Sequence, residues 1–198
     1  MEIHYRLKKS PEQFLEKELA QIKSIAIDVV RLDAEFSLDE IQRIKALLNN
    51  SALLLEDNVA LAEAAGLNGV FFNSVSQALS YLANAPKASL NVGAKALNFA
   101  DCKNLELQQA DFIELNVAVK DNQSKMLGME LIENAIPKQD EYGWMIMSLN
   151  TPVIAAGLKN NGELSKVVKK STMRGVLLTN SWDEDLSESL INSIKLMN

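Results

Sequence analysis

The chain has 198 residues, with 26 acidic side chains against 20 basic ones, a formal net charge of −6, one histidine and one cysteine. That balance excludes non-specific nucleic-acid binding, which needs a concentrated basic surface, and the single Cys102 excludes an internal disulfide. No apolar run reaches the ~20 residues of a membrane-spanning helix, and no secretory or lipidation signal is present, so the expectation is a soluble, cytoplasmic protein with no membrane partner and one domain over 1–198.

Glu2 to Leu7 reads as a short first strand, and Ser10-Pro11 with Glu12 and Glu16 opens a helix whose Phe14, Leu15, Leu19 and Ile22 share a face. Ile25 to Leu32 is the expected second strand. Ser37-Leu38-Asp39-Glu40 has the outline of a capping box, followed by the stripe Ile41, Ile44, Leu47 and Leu48. The stretch Ser51 to Asn73 then packs a strand (Ala52 to Leu55), an acidic turn (Glu56-Asp57), an Ala-rich helix ended by Gly66 and a new strand (Gly69 to Phe72) into one unit. Such a compact crossover joins parallel strands.

Val75 to Leu82 reads as helix, Ala88 to Val92 as strand, Phe99 to Gln109 as helix and Asp111 to Leu115 as strand. Asn116 to Asp140 is longer than an ordinary connection and carries its own apolar segment, Met126 to Ile136, which predicts a functional loop or a small extra helix. Tyr142 to Leu149 follows as helix, Pro152 to Ala156 as strand, Leu164 to Val168 as helix, Gly175 to Leu178 as strand, and a last amphipathic helix carries Leu186, Leu190, Ile191 and Ile194. Strand and helix thus alternate eight times, which predicts an α/β fold, a compact (βα)8 TIM barrel. Because such barrels typically need about 250 residues, one element is expected to be abbreviated, and the first strand is the candidate.

Isolated chemistry-bearing residues mostly have plain readings. Cys102 falls on a helix with no cationic cluster beside it and reads as a small packed residue. The lone His4 belongs to the first strand and reads as structural or exposed. Lys166, Lys169 and Lys170 end a helix, where cations complement the dipole. Met126, Met129, Met145 and Met147 gather around the long segment and suit an irregular core or a partner surface.

Leu53 to Phe72, LLLEDNVALAEAAGLNGVFF, resembles the part of thiamine phosphate synthases where a strand runs into an Asn-Asp-Arg turn, an Ala-rich helix and Ala-Asp-Gly-Val-His-Leu. Thr151 to Leu178 is similar to the same family's Ile-Pro-Val-Val-Ala-Ile-Gly-Gly-Ile strand, following helix and last Gly-Val-Ala-Val strand, and Val92 to Glu114 follows its fifth strand, helix and Ala-Asp-Tyr-Ile strand. The resemblance covers nearly the whole chain and rests on scaffold pattern. It implies a barrel of the thiamine phosphate synthase and thiazole tautomerase family, in thiamine biosynthesis, which couples a pyrimidine pyrophosphate to a thiazole phosphate with Mg2+ or isomerises the thiazole.

Several ligand positions implied by that resemblance are changed. The family's Gln-x-Arg-x-Lys, which holds the pyrophosphate, falls on Val30, Leu32 and Ala34, and its Asn-Asp-Arg on Glu56-Asp57-Asn58. Asp57, with Glu56 beside it, is the candidate Mg2+ site, since Mg2+ needs only one or two protein carboxylates; the competing and preferred role of Asp57 is a helix N-cap. The family's histidine in the fourth strand becomes Phe71, its glutamine Ser74, and the histidine after the fifth strand falls near Lys95. Its loop after the sixth strand becomes Asn116 to Lys120, with no assignable catalytic lysine. No catalytic residue is assigned.

What remains is a candidate polar mouth of Arg31, Asp33, Lys95 and Asn116, and a candidate phosphate grip of Gly157, Lys159, Thr179, Asn180 and Ser181, since backbone donors after the last two strands can hold an anion without particular side chains. Asn160-Asn161-Gly162 and Thr179-Asn180-Ser181 read equally as turn and cap chemistry. Leu32, Phe72 and Leu178 either make the mouth apolar or fill the barrel interior. The resulting expectation is a diverged pseudoenzyme that binds a small phosphorylated ligand or regulates; the alternatives are an active thiamine-pathway transferase or isomerase with replaced groups, and a homo-oligomeric interaction protein.

Overall fold

Eight short runs rich in Val, Ile, Leu and Ala become parallel strands because each is flanked by turn residues and followed by a segment that returns the chain to the same end of the sheet. In the computed structural model, which describes residues 2–25, 27–84, 90–116, 148–157 and 174–179, these are β1 (Glu2–Leu7), β2 (Val29–Leu32), β3 (Ala52–Glu56), β4 (Gly69–Phe72), β5 (Asn91–Ala96), β6 (Phe112–Asn116), β7 (Val153–Ala156) and β8 (Gly175–Thr179). Neighbours pair in chain order and β8 pairs with β1, so the sheet closes into the expected (βα)8 barrel. The helices described are α1 (Glu12–Ile25), α2 (Leu38–Leu47), α3 (Val59–Ala64), α4 (Val75–Asn84) and α5 (Phe99–Leu107).

Helix starts follow local chemistry. Ser37 caps α2 by accepting from the Glu40 N–H, and Glu40 reaches back to the Ser37 N–H at 2.7 Å. Those bonds, with Lys9 nearby, lower the Glu40 carboxyl to about 2. Asn58 caps α3 and Asn98 caps α5, each through its side-chain oxygen.

Three expectations need correction. β1 is not abbreviated: at six residues it is as long as any strand, and it closes the barrel against both β2 and β8. The second strand starts at Val29, because Ile25 is still the last turn of α1 with its side chain buried. The fifth strand is Asn91–Ala96, later than the expected 88–92, since Gly93 and Ala94 pair with β4 and β6 although their sequence is weakly strand-forming. The segment after Asn116 to Asp140, the helix expected over 164–168, the last helix and nearly all of the helix expected over 142–149 lie outside the described residues.

Strand register divides the residues into two faces. Ile3, Tyr5, Leu7, Val30, Leu32, Leu53, Leu55, Val70, Phe72, Ile113 and Leu178 point outward and merge with the helices in one apolar core. Between them lies the Tyr5 hydroxyl, which donates to Glu18 of α1; burial and this carboxylate together push the phenol far up. The inward face is separate: Ile154, Ala156 and Leu177 form their own small cluster with Phe112 against it. Gly93 exists there for Phe112, because a Cβ at position 93 would lie 2.0 Å from the ring.

Candidate functional site

Because side chains alternate along a strand, the residues between the outward ones face the barrel interior, and in such barrels they stack in layers of about four from alternate strands. Following the register from strand to strand places His4, Leu54, Gly93 and Ile154 in one layer, Arg31, Phe71, Glu114 and Leu177 in the next, and Arg6, Glu56, Lys95 and Ala156 above them. The lower half is closed by aromatic packing: Phe112 stacks on Phe71 at 6.0 Å and receives the edge of His4 at 5.1 Å. His4 is buried and structural, with Glu2 at 3.4 Å.

The upper half is ionic. Arg31, on β2, reaches across the barrel to Glu114 on β6 and sideways to Glu56 on β3, whose Oε1 lies 2.8 Å from Arg31 Nε. Arg6 on β1 holds the other Glu56 oxygen at 2.6 Å. Beneath, the Arg31 guanidinium lies 3.8 Å from the Phe71 ring centre, a contact between cation and π-face. Burial opposes the charge on Arg6, but Glu56 first, then Asp33 and Glu114, outweigh it and hold its guanidinium more firmly protonated.

This network is incompletely satisfied. Among the described residues, the buried side-chain polar atoms without a hydrogen bond are Arg6 Nε, Arg31 Nε, Glu56 Oε1 and Ser10 Oγ. Arg31 Nε and Glu56 Oε1 are close enough to attract as ions but are poorly aligned as donor and acceptor. Three of the four belong to one cluster, and Ser10 stands in the loop that leaves β1 at the same end. Buried polar groups are normally hydrogen-bonded, so the concentration of incompletely bonded ones at the C-terminal mouth singles out this end of the barrel.

Arg31 is central to the network. Asp33 is half-buried at the rim, accepts from the Glu35 N–H at 3.2 Å and adds to the field on Arg6. Lys95 is half-buried in the same layer as Arg6 and Glu56 and makes no hydrogen bond or ion pair with a described residue. Asn116 ends β6 and Thr179 ends β8. Gly157 follows β7 with φ +79°, a left-handed turn that suits glycine, while Lys159, Asn180 and Ser181 lie outside the described residues.

Two readings on the third strand change. Asp57 is not the cap of α3; that is Asn58. Asp57 has φ +51° and uses its carboxylate to hold Asn73 at the end of β4, through the backbone N–H at 2.9 Å and the side-chain amide at 2.7 Å. At the position of the implied Mg2+, Glu56 has both oxygens against guanidinium groups and Asp57 is engaged by an amide donor, so a metal held there would displace these partners. No group of three or more potential ligands gathers among the described residues.

The apparent loss on the second strand also changes. Val30 and Leu32 face the helices, so they are not the positions a mouth ligand would meet. The inward residue between them is Arg31. Phe72 and Leu178 likewise pack outward and leave the mouth clear. Arg6 and Glu114 were missed by sequence reasoning, although each is a charged residue next to the C-terminal end of a strand. Cys102 is buried in α5, and burial pushes its thiol up to about 12.

No family model matches the chain, and no curated protein matches it by sequence. Solved structures do match. A thiamine phosphate pyrophosphorylase from Pyrococcus furiosus is 15% identical with a TM-score of 0.67, covering 99% of this chain and 94% of that one. A 3-hexulose-6-phosphate synthase is 13% identical with a TM-score of 0.67, over 100% and 99% of the two chains. An N-acetylmannosamine-6-phosphate 2-epimerase from Clostridium perfringens is 9% identical with a TM-score of 0.62, over 91% and 87%. At these identities the likeness establishes the TIM-barrel fold. No described helix is long and apolar enough to cross a membrane.

Proposed function

We propose that this chain binds a small phosphorylated metabolite at the C-terminal mouth of its barrel, as a diverged relative of the thiamine phosphate synthase-like barrels that does not carry out the synthase reaction. The observation that carries the reading is the buried ionic cluster of Arg6, Arg31 and Glu56, paired as ions but incompletely hydrogen-bonded, at the end of the barrel where ligands of this fold bind. The phosphate is proposed to sit at the turn at Gly157, where a glycine at φ +79° permits close approach, beside the end of β8. Three of the similar structures are named for phosphorylated compounds, which agrees with the ligand class.

The loss of the synthase reaction is argued from the ion network. A pyrophosphate with Mg2+ needs free cations and a free carboxylate, whereas Arg31 and Glu56 are here engaged with each other, Glu114 and Arg6. A second reading, a barrel enzyme with a replaced set of groups, is favoured by the same buried cluster, because charged groups fixed in a dry site can stabilise charge that develops in a reaction. One pair of measurements tests both. Purified protein given the pyrimidine pyrophosphate, the thiazole phosphate and Mg2+ is expected to form no thiamine phosphate above background, and phosphorylated compounds are expected to raise its melting temperature where their unphosphorylated counterparts do not. Robust turnover overturns the first half of the proposal, and indifference to phosphorylation overturns the second.

A further inference from the structure

The two upper layers of the barrel contain three cations, Arg6, Arg31 and Lys95, against two carboxylates, Glu56 and Glu114. Both arginines and both glutamates are joined to one another. Asp33, one layer higher at the rim, acts on Arg6; the cation left without an ion pair is Lys95, which is half-buried, stands one strand from Glu114 in register, and makes no ion pair with it or with any other described residue. A structural lysine in this position would close the network on Glu114. This one does not.

The fourth member of the Lys95 layer is Ala156, small where the other three are long, and it is followed directly by the Gly157 turn. A ligand anchored at Gly157 therefore passes over Ala156 to reach Lys95. An ammonium that is partly removed from water and unpaired among the described residues attracts an anion strongly, since the low local dielectric magnifies the interaction.

Resting on the proposed phosphate site, we infer that Lys95 receives a second acidic group of the ligand, so that the metabolite bound is a phosphorylated acid or a bisphosphate and not a neutral phosphorylated alcohol or sugar. Lys95 is a specificity-determining residue in this scheme: it selects the far end of the ligand while the phosphate is held at β7 and β8. The two anionic ends act together as linked binding events, so loss of one removes the gain from having both.

The test compares glycerol 3-phosphate, 3-phosphoglycerate and fructose 1,6-bisphosphate by calorimetric titration of the full chain near neutral pH. At least one of the two acid-bearing probes should bind about tenfold or more tightly than glycerol 3-phosphate. Lys95→Met should abolish that preference, weakening the acid-bearing probe about tenfold more than glycerol 3-phosphate; Lys95→Arg, which keeps the charge, should retain most of it. Circular dichroism of both variants checks that the barrel is intact. Equal binding of all three probes overturns this inference and leaves the phosphate site standing, as does a preference that survives in Lys95→Met. Failure of every probe to bind overturns both.

Discussion

The two faces of the same eight strands are built from opposite materials. Outward, Val30, Leu32, Leu53, Leu55 and Phe72 join the helices in a continuous apolar layer that any hydrophobic set of similar volume would make. Inward, the neighbouring residues Arg31, Glu56 and Glu114, each 5% exposed or less, form an ion network above an aromatic floor. Buried ion pairs are weak sources of stability, because desolvation offsets most of the Coulomb attraction. The outward face therefore holds the barrel together, and the polarity of the inward face is what the proposed binding function explains.

The largest effect that would test this contrast is at Arg31. Replacing it with Met leaves Glu56 and Glu114 buried with diminished compensation, and breaking such a pair typically costs about 3 to 5 kcal/mol. Urea denaturation should show that loss, and Glu114→Gln added to Arg31→Met should recover part of it by removing one orphaned charge. A cost below about 1 kcal/mol, the range of solvated pairs, would mean that water reaches the network and that the two faces differ less than their burial indicates.

A smaller loss is expected from Gly93→Ala, which sharpens the boundary between floor and mouth. The new Cβ meets the Phe112 ring at 2.0 Å, so the ring must move, and overpacking of this kind costs about 1 to 3 kcal/mol. Phe112→Leu combined with Gly93→Ala should be less damaging than the two single costs added, because the smaller side chain vacates the space. Additivity in that cycle would break the assignment of Phe112 to the interior.

How far the sequence reveals these two faces depends on the strand. The order of elements was readable because turn residues and helical stripes punctuate the chain, and Ser37 to Glu40 announced α2 through a bonding pattern that the structure contains. The facing of β2 and β3 was not. VVRL and LLLE are buried on both sides, so their patterns lack the alternation that would tell inward from outward, and a shift of one residue exchanges the faces. That is why Val30 and Leu32 stood for ligand positions that belong to the face carrying Arg31. A usable signal was present in the charged residues themselves: Arg31, Glu56 and Glu114 each interrupt an apolar run near a strand's C-terminal end, Arg6 takes the corresponding place in the more polar β1, and a charge buried there is tolerated only where it has a partner. Which carboxylate meets which guanidinium is a long-range fact that no local pattern contains.

Helix capping at the rim gives a third test, of about 1 kcal/mol. Asn58→Ala removes the acceptor for the Leu61 N–H and should destabilise by about 0.5 to 2 kcal/mol. Asp57→Asn should be nearly neutral, within about 0.5 kcal/mol, since asparagine tolerates the left-handed conformation at φ +51° and still offers an oxygen to the Asn73 N–H. The reverse order of effects in thermal denaturation would return the capping role to Asp57.

The smallest effect separates charge outside the barrel from charge inside it. Glu40 at the start of α2 accepts from the Ser37 backbone and hydroxyl and from Lys9, and these bonds lower its carboxyl from the ordinary 4.5 to about 2. A depressed folded-state value means that the stabilisation is fully present above the unfolded value and is lost as pH falls through the folded one. Glu40→Gln should therefore be less stable than the parent above pH 4.5, by roughly 0.5 kcal/mol for a solvent-facing pair and cap, and the two proteins should converge as pH approaches about 2. Salt supplies the contrast with the interior: added sodium chloride should shrink the Glu40→Gln difference, because water and ions reach that pair, while leaving the cost of Arg31→Met nearly unchanged. If both differences fall together with salt, the Arg31 network is as solvated as the surface pair, and the polar mouth is an open ionic rim in place of a buried site.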